Sequence, residues 1–353
     1  MPEPKRIIFL YSELANYFLV CIDELRQKIN CKIHIIHWPI NSEAPFKLDL
    51  QIENVIFYDR KNYDLSKLQN LIHEIDPHLI YCSGWIDNDY TQIAKKYRSR
   101  IPVVSGLDTQ WNGSFKQQIH SLISPFTVKK YFSHLWIAGE PQVKYAQKLG
   151  FNSSNILKGV YSADVPFFNS VYLNAAPKKS LSLPKRFIFV GRYLEFKGIF
   201  DLWNAFIKTF DILDHDWELW CLGTGALWDK RMMHPKIRHL GFVQPNEMPA
   251  IMDQTSVFVL PSHFEPWAVA LHEFAAAGFP LISSNKVGAN TAFLKDGQNG
   301  FIFPSGNVEE LTNAFMKFIQ MSPQELLQYG QTSNALSKTI TPATWASTVA
   351  SLV

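Results

Sequence analysis

Short apolar runs alternate along the chain with longer segments in which apolar residues recur every three or four positions. The short runs predict buried strands, and the longer segments predict amphipathic helices. In the first half the strands are predicted at 6–11, 32–38, 53–58, 78–83, 101–106 and 134–139, and the helices end near 28 or span 65–75, 90–98 and 141–150. Strands that alternate with helices form parallel sheets covered on both faces.

The same alternation starts again after a break in the pattern. Its strands are predicted at 186–191, 217–223, 237–243, 257–262, 279–284 and 300–304, and its helices at 198–213, 247–256, 268–278, 307–320, 323–335 and 343–352. Residues 154–168 show no regular pattern, and 171–185, which combines Pro, Ser and Lys, is the expected linker. We therefore predict an α/β chain with an N-terminal Rossmann-like domain over 1–170 and a second one over 186–339.

Length and composition agree with two folded domains. The chain has 353 residues, 47% hydrophobic and 18% charged, which excludes a disordered protein. Its net charge of +3 is too small for a protein that binds nucleic acid by neutralising many phosphates. The four cysteines lie in or beside apolar runs without a CxxC pair, so we expect buried free thiols and a cytoplasmic location.

Any membrane contact is expected to be peripheral. No apolar run reaches the ~18 residues of a membrane-spanning helix, and the run near the N-terminus is too short for the core of a signal peptide. Basic residues cluster with aromatic ones at Lys95, Lys96, Tyr97, Arg98 and Arg100, and again at Lys129, Lys130, Tyr131 and Phe132. These clusters predict either a surface of the N-terminal domain that faces anionic lipid or an ordinary solvated helix face.

Two carboxylates follow a predicted strand of the second half. Ligands of an open parallel sheet bind beyond the carboxyl ends of its strands. Glu265 comes after the strand 257–262, and Glu273 lies eight residues later in an otherwise apolar helix. A buried carboxylate needs hydrogen-bond donors, which sugar or ribose hydroxyls supply. The alternatives are a solvent-edge position for Glu273 and a helix first-turn role for Glu265.

Two cations follow the first strand of the second half. Arg192 lies just beyond the strand, and Lys197 lies at the start of the next helix, so positive charge and backbone N–H groups converge there. A diphosphate fits this arrangement. Gly223 and Gly225 follow the next strand and predict a turn near a nucleotide, although Trp228 replaces the last glycine of a dinucleotide fingerprint.

Metal binding is not expected. Two Asp-x-Asp patterns, at 87–89 and 214–216, match the metal motif of some sugar transferases, but two matches in one chain show how easily the pattern arises. The histidines form no zinc pattern. In the first half, Asp108 follows the strand 101–106 and precedes Trp111, and an acid beside an aromatic ring suits a carbohydrate. An ordinary turn aspartate is the alternative.

Three ordered elements make the second half resemble the retaining glycosyltransferases of family 4, which have the GT-B fold. They are GRYLEFKG at 191–198, GFVQPNEMPAIMDQTSVFVLPS at 241–262, and EPWAVALHE at 265–273 followed by FAAAGFPLI. The resemblance implies two Rossmann-like domains facing each other across a cleft, with a C-terminal helix at about 340–353 packing back on the first. It implies transfer of a hexose-type sugar from a nucleotide-diphosphate sugar to a hydroxyl of a glycan or lipid-linked acceptor, in polysaccharide or glycoconjugate biosynthesis, without a metal or cofactor.

The resemblance also implies roles for the charged residues. Arg192 and Lys197 would bind the diphosphate, Glu273 would hold the ribose hydroxyls, and Glu265 would contact the donor sugar. A histidine of the first domain often lies by the reacting sugar in this family. Here Asp108 stands in roughly that region and is the catalytic candidate instead.

Backbone positions complete the expected donor site. The main chain of Pro266, Trp267 and Ala268 would line the sugar and phosphates. The segment around Val243 would lie beside the base of the nucleotide. Family members often have Gly where this chain has Ala268, and a glycine-rich loop where it has the residues 12–17. A nucleotide-sugar epimerase of the same fold and a non-catalytic, two-lobed sugar-binding protein are the alternative functions.

Overall fold

The structure is a computed structural model that describes residues 3–39 and 47–353. The chain divides into two units, one formed by Met1–Ser162 with Pro342–Val353 and the other by Ala163–Thr341. Each unit contains one parallel sheet, with seven strands in the first and six in the second. The predicted fold class, α/β with two doubly wound Rossmann-like units, is confirmed.

The first unit is built around a sheet with the strand order β3-β2-β1-β4-β5-β6-β7. Its strands are β1 (Lys5–Tyr11), β2 (Cys31–His37), β3 (Val55–Asp59), β4 (Leu79–Cys82), β5 (Val103–Leu107), β6 (His134–Ile137) and β7 (Ile156–Lys158). Its helices up to this point are α1 (Asn16–Lys28), α2 (Leu65–Ile75), α3 (Asn88–Tyr97), α4 (Phe115–Ile123), α5 (Val128–Tyr131) and α6 (Glu140–Lys148). The chain changes direction across the sheet between β1 and β4, which are neighbours.

Local sequence signals account for several element boundaries in this unit. The Asp64 carboxylate accepts a hydrogen bond from the Lys67 backbone N–H and so caps α2. Gly150 follows the end of α6 with a φ of +84°, a conformation that glycine adopts without strain. In β1, Ile8 pairs with Ile80 of β4 and both are fully buried, as expected for a strand covered on both faces.

The second unit repeats the topology, with the strand order β10-β9-β8-β11-β12-β13. Its strands are β8 (Arg186–Val190), β9 (Glu218–Leu222), β10 (Ile237–Gly241), β11 (Val257–Leu260), β12 (Leu281–Ser284) and β13 (Gly300–Phe303). Its helices are α7 (Val165–Leu181), α8 (Ile199–Ile212), α9 (Met248–Met252), α10 (Val269–Ala276), α11 (Asn290–Phe293), α12 (Val308–Gln320) and α13 (Pro323–Ser337).

The structure differs from the prediction between 154 and 185. This stretch holds the strand β7 and the long helix α7, so most of the expected linker 171–185 is helical. Asp164 caps α7 by accepting a hydrogen bond from the Phe167 N–H, and Pro177 lies inside the helix. Proline inside a helix disfavours the helical conformation, which is why the local pattern indicated a linker.

The last helix, α14 (Pro342–Ala350), belongs to the first unit and packs on α1. Trp345 is its anchor. The indole N–H donates to the Val160 carbonyl at 3.0 Å, and its ring lies 5.0 Å from that of Trp136 and 5.8 Å from that of Phe9. A buried tryptophan with a satisfied N–H contributes a large apolar contact area.

Candidate functional site

The strand order of the second unit decides where its polar residues meet. The strands β8 and β11 lie side by side although two strands and two helices separate them in the chain. A ligand crevice forms beyond the carboxyl ends of neighbouring strands at such a reversal. Arg192 and Lys197 follow β8, and Glu265 follows β11, so the sheet brings these segments to the same edge.

Lys197 and Glu265 form a direct ion pair in this crevice. Both side chains are 15% exposed, and the Ser262 hydroxyl lies 3.4 Å from the same carboxylate as a further donor. Removing a charge from water is costly unless an opposite charge or hydrogen bonds compensate it. Two residues predicted for one donor site are therefore in contact, and each depends on the other.

The loop that carries Glu265 is held by backbone hydrogen bonds to the segment after β12. The Glu265 N–H donates to the Lys286 carbonyl at 3.2 Å, and its own carbonyl accepts from the Gly288 N–H at 3.0 Å. The Trp267 carbonyl accepts from the Ala289 N–H at 3.0 Å. These contacts fix the start of α10 against the sheet, and they place the main chain of the EPW segment beside the ion pair.

Ala268 marks a strained position at the start of α10. It has a φ of +97°, in the left-handed region that costs a residue with a Cβ atom roughly 1–2 kcal/mol. The same position is the one where the resembling family often has glycine. Strained backbone persists where the surroundings impose it and is frequent at functional sites. The first N–H groups of the helix that follows have no partners within the helix and can bind an anion.

Glu273 lies in the second turn of α10 and is partly buried. Burial, together with the nearby charge of Asp164, raises the pKa of its carboxyl group to about 7. In the part of the chain that the structure describes, no side-chain hydrogen bond reaches this carboxylate. Ligand hydroxyls would supply the missing donors, which is consistent with the predicted ribose contact.

The glycine turn after β9 lies against the loop after β8. A Cβ atom on Gly223 would lie 2.1 Å from the carbonyl oxygen of Gly191, and one on Gly225 would lie 2.8 Å from that of Tyr193. Only glycine allows the two loops to approach this closely. The exposed Arg192 lies within the loop after β8, so the structure places the predicted glycine turn beside this predicted cation.

Val243 follows the outermost strand, β10, and is partly buried. The order β10-β9-β8 places it at the same edge of the sheet as Arg192, two strands away. This position after β10 agrees with the expected place of Val243 in the segment beside the base.

The sequence did not indicate one further pair at this edge. His263, two residues before Glu265, lies with its Nε2 atom 2.6 Å from the Asp201 carboxylate at the start of α8. Its backbone N–H donates to the Phe196 carbonyl at 2.7 Å. The side-chain pair ties the loop after β11 to α8, and the backbone hydrogen bond ties it to the loop after β8. The position of His263 after a predicted strand could have marked it as a candidate. Its partner Asp201, however, lies 62 residues away in the sequence.

The first unit has its own cavity at the corresponding edge, of about 380 Å³. Its wall comes from the ends of β1, β4 and β5 and from the segment after β7. Two carboxylates and four aromatic residues are among its lining side chains: Glu13, Asp108, Tyr11, Tyr17, Trp85 and Tyr161. No lysine or arginine is among its described lining residues.

Asp108 lies inside this cavity and is partly buried. The Tyr161 hydroxyl lies 3.4 Å from its carboxylate, and its backbone carbonyl accepts from the Gln142 amide at 2.7 Å. Burial and the charge of Asp108 both raise the pKa of the Tyr161 phenol, so this hydroxyl stays protonated and can donate. The predicted position of Asp108 at a sheet crevice agrees with the structure.

The Asp-x-Asp pattern at 87–89 has a structural role. Asp87 caps α3 by accepting from the Asp89 and Tyr90 N–H groups, and both aspartates pair with Arg60 at 3.0 and 2.7 Å. Burial acts to raise the pKa of Asp87, but the hydrogen bonds and charge of Arg60 lower it overall. Across residues 3–39 and 47–353, no group of three or more His, Cys, Asp or Glu side chains could hold a metal ion.

Two other predictions concern the whole chain. Cys21, Cys31, Cys82 and Cys221 are all buried and none of them forms a disulfide, as predicted for these thiols. Within the described ranges, none of the helices has the length and apolar character needed to cross a bilayer.

Comparisons with known proteins concern the same region. Residues 184–321 match the family described as Glycosyl transferases group 1. The chain is 25% identical over 242 residues to glycogen synthase of Mycobacterium tuberculosis, covering 64% of this chain and 56% of that one. It is 30% identical over 246 residues to an uncharacterized glycosyltransferase of Methanocaldococcus jannaschii, covering 64% and 62%. The chain thus spans between half and two thirds of the length of these relatives.

Among solved structures, Anabaena HepE in complex with UDP and glucose is similar with a TM-score of 0.71, at 14% identity over 98% of both chains. This likeness shows the GT-B fold. The family match supports the assignment of the second unit, with its candidate site, to the group 1 glycosyltransferases.

Proposed function

We propose that this protein is an enzyme, a glycosyltransferase that moves a hexose-type sugar from a nucleotide-diphosphate sugar to a hydroxyl of a glycan or lipid-linked acceptor. The observation that carries the proposal is the convergence of Lys197, Glu265 and the start of α10 at the reversal of the second sheet. HepE, a neighbour with the same fold, binds UDP and glucose. Polysaccharide or glycoconjugate biosynthesis, family 4 membership and retention of the anomeric configuration are the finer parts of the proposal.

The charged residues bind different parts of the nucleotide-sugar donor. Arg192, Lys197 and the N–H groups at the start of α10 bind the diphosphate and stabilise its charge as it leaves, without a metal ion. Glu265 exchanges its contact with Lys197 for hydroxyls of the donor sugar. Glu273 accepts hydrogen bonds from the ribose.

Backbone groups shape the rest of the donor site. The main chain of Pro266, Trp267 and Ala268 lines the sugar and phosphates. Val243 lies beside the base of the nucleotide, and the turn formed by Gly223 and Gly225 lies near the nucleotide.

The acceptor binds in the cavity of the first unit. Aromatic side chains contact sugar ring faces, and the carboxylates of Glu13 and Asp108 accept hydroxyl protons. Two carboxylates without a lining cation repel phosphates, so we expect an uncharged or positively charged sugar in this cavity. Asp108 orients the attacking hydroxyl. An Asp108→Asn variant should raise the KM for the acceptor while leaving donor affinity unchanged.

Nucleotide binding tests the donor site. The protein is titrated with UDP, GDP, ADP, dTDP and CMP while thermal unfolding is recorded, because a ligand that binds only the folded state stabilises it. The double variant Lys197→Met/Glu265→Gln removes both charges and leaves no unpaired buried ion. It should bind the preferred diphosphate about 10- to 100-fold more weakly, which corresponds to the loss of a charge-assisted hydrogen bond.

Lys185→Met is the matched control. Lys185 forms an exposed ion pair with Asp216 at the opposite end of β8, so its replacement should leave nucleotide affinity unchanged. If no nucleoside diphosphate binds, or if the double variant binds as the wild type does, the donor site is wrongly placed. Release of free sugar without an acceptor would indicate the epimerase alternative, and binding without turnover would indicate a sugar-binding protein.

A further inference from the structure

The helix α4 and the turn after it expose a continuous apolar stripe. The stripe consists of Phe115, Ile119, Leu122, Ile123 and Phe126. Their spacing of four, three, one and three residues places them on one helical face, which in most helices packs against the core. Here Phe115 is 78% exposed, Leu122 79% and Phe126 75%.

The opposite face of this segment attaches to the first unit through polar contacts. The buried Gln117 side chain accepts from the Asn112 N–H at 2.7 Å and donates to the Gln110 carbonyl at 2.7 Å. The buried Ser124 hydroxyl donates to the Leu149 carbonyl at 2.7 Å. The helix is therefore held with its polar side inward and its apolar side outward. Exposed apolar patches of this kind mark interaction sites.

The charge around the stripe is strongly positive. Between residues 90 and 139 the chain has seven basic residues and one acidic residue, Asp108, which lies in the acceptor cavity. The basic residues are Lys95, Lys96, Arg98, Arg100, Lys116, Lys129 and Lys130. They lie on α3 and in the turn directly after it, on α4 and on α5. Both α3 and the turn Ser124–Phe126 contact α5.

The structure also corrects the predicted membrane surface. Tyr97 and Phe132 are buried in the core of the first unit, so they cannot face lipid. Their basic neighbours Lys95, Lys96 and Lys130 are exposed. The exposed apolar side chains of this region lie instead on α4 and the turn after it, and the sequence pattern did not predict this helix.

We propose that this stripe and its lysines form a docking surface for an anionic lipid bilayer. Apolar side chains of an interfacial helix enter the boundary between headgroups and acyl chains, and flanking lysines contact anionic headgroups. Charge decides against a second copy of the chain, because two such surfaces would repel each other. The proposal goes beyond the transferase function and does not depend on it.

Vesicle sedimentation tests the surface on the full chain. Vesicles of phosphatidylcholine with 30% phosphatidylglycerol should bind the protein, and pure phosphatidylcholine vesicles should bind it much more weakly. Raising NaCl from 0.1 to 0.5 M should weaken binding, because salt screens exposed charges. Each of Lys116→Glu and Lys130→Glu should weaken it about fivefold or more.

A triple variant tests the contribution of the exposed apolar side chains to vesicle binding. Phe115→Ser/Leu122→Ser/Phe126→Ser should abolish sedimentation at 0.1 M NaCl. The control Leu173→Ser/Leu181→Ser changes two exposed leucines of the second unit and should sediment like the wild type.

Thermal unfolding and nucleotide titration confirm that every variant is folded, since none of the substituted residues lies in the donor site. The proposal would be overturned if the protein bound neutral vesicles as well as anionic ones, or if it bound neither kind. It would also be overturned if the control variant lost as much vesicle binding as the triple serine variant. A wild-type dimer that the serine variant converts to a monomer without any vesicle binding would overturn it as well.

Discussion

Replacing Glu273 with glutamine should make the protein more stable, and the gain should depend on pH. The folded state raises the pKa of this carboxyl from 4.5 to about 7. A raised carboxyl pKa means that the folded state favours the protonated form, so ionisation penalises folding. The penalty is absent below pH 4.5, grows between pH 4.5 and 7, and is constant above pH 7.

The size of the effect follows from the shift. About 2.5 pKa units at 1.36 kcal/mol each give a limit of about 3 kcal/mol. Because the carboxylate is partly open to solvent, we expect about 1–3 kcal/mol at pH 8.5. For a unit of this size that corresponds to a midpoint rise of roughly 2–12 °C.

Thermal unfolding of wild type and Glu273→Gln at pH 5 to 9 measures this difference. The control Glu309→Gln changes an exposed glutamate of the same unit and should show no such pH dependence. A stability difference that is the same at all pH values, or a wild type that is more stable at pH 8.5, would refute the burial argument.

Nucleotide binding connects the same residue to function. Ribose hydroxyls that donate to the ionised carboxylate lower its pKa, so binding near pH 7 should release a proton. Calorimetry in HEPES and in Tris, which differ in ionisation enthalpy, should give different binding enthalpies for the wild type. Glu273→Gln should give equal ones and a lower affinity. Glu273→Gln should thus raise the stability of the protein and lower its affinity for the nucleotide.

Two further substitutions test the packing of each unit. Trp345→Ala should destabilise the first unit by about 3–5 kcal/mol, measured by urea unfolding, because it removes a buried aromatic anchor of α14, and an unchanged midpoint would contradict its role. Burial in α7 beside Phe279 lowers the pKa of Lys179 to about 7, so the folded state disfavours the ammonium. Lys179→Met should therefore raise the thermal midpoint at pH 6 and much less at pH 10, and the opposite order would show that the ammonium is solvated.

Local patterns were enough to predict the two sheets and the charged residues that directly follow their strands. Apolar runs covered on both faces are recognisable without knowing their neighbours, as β1 and β8 illustrate. The positions of Lys197 and Glu265 after their strands were also visible, since the carboxyl end of a strand is defined locally. The motifs around these residues indicated a glycosyltransferase, and the comparisons support the group 1 glycosyltransferases for the second unit.

Features that depend on contacts between distant residues were decided only by the tertiary structure. The pairing of Lys197 with Glu265 spans 68 residues and arises because β8 and β11 are neighbours in the sheet. The left-handed backbone of Ala268 occurs where hydrogen bonds of the neighbouring residues Glu265 and Trp267 hold the loop against the segment after β12. The outward apolar face of α4 results from polar anchors on its other side. A helical period shows that two faces differ, but only the packed fold determines which of them meets the core.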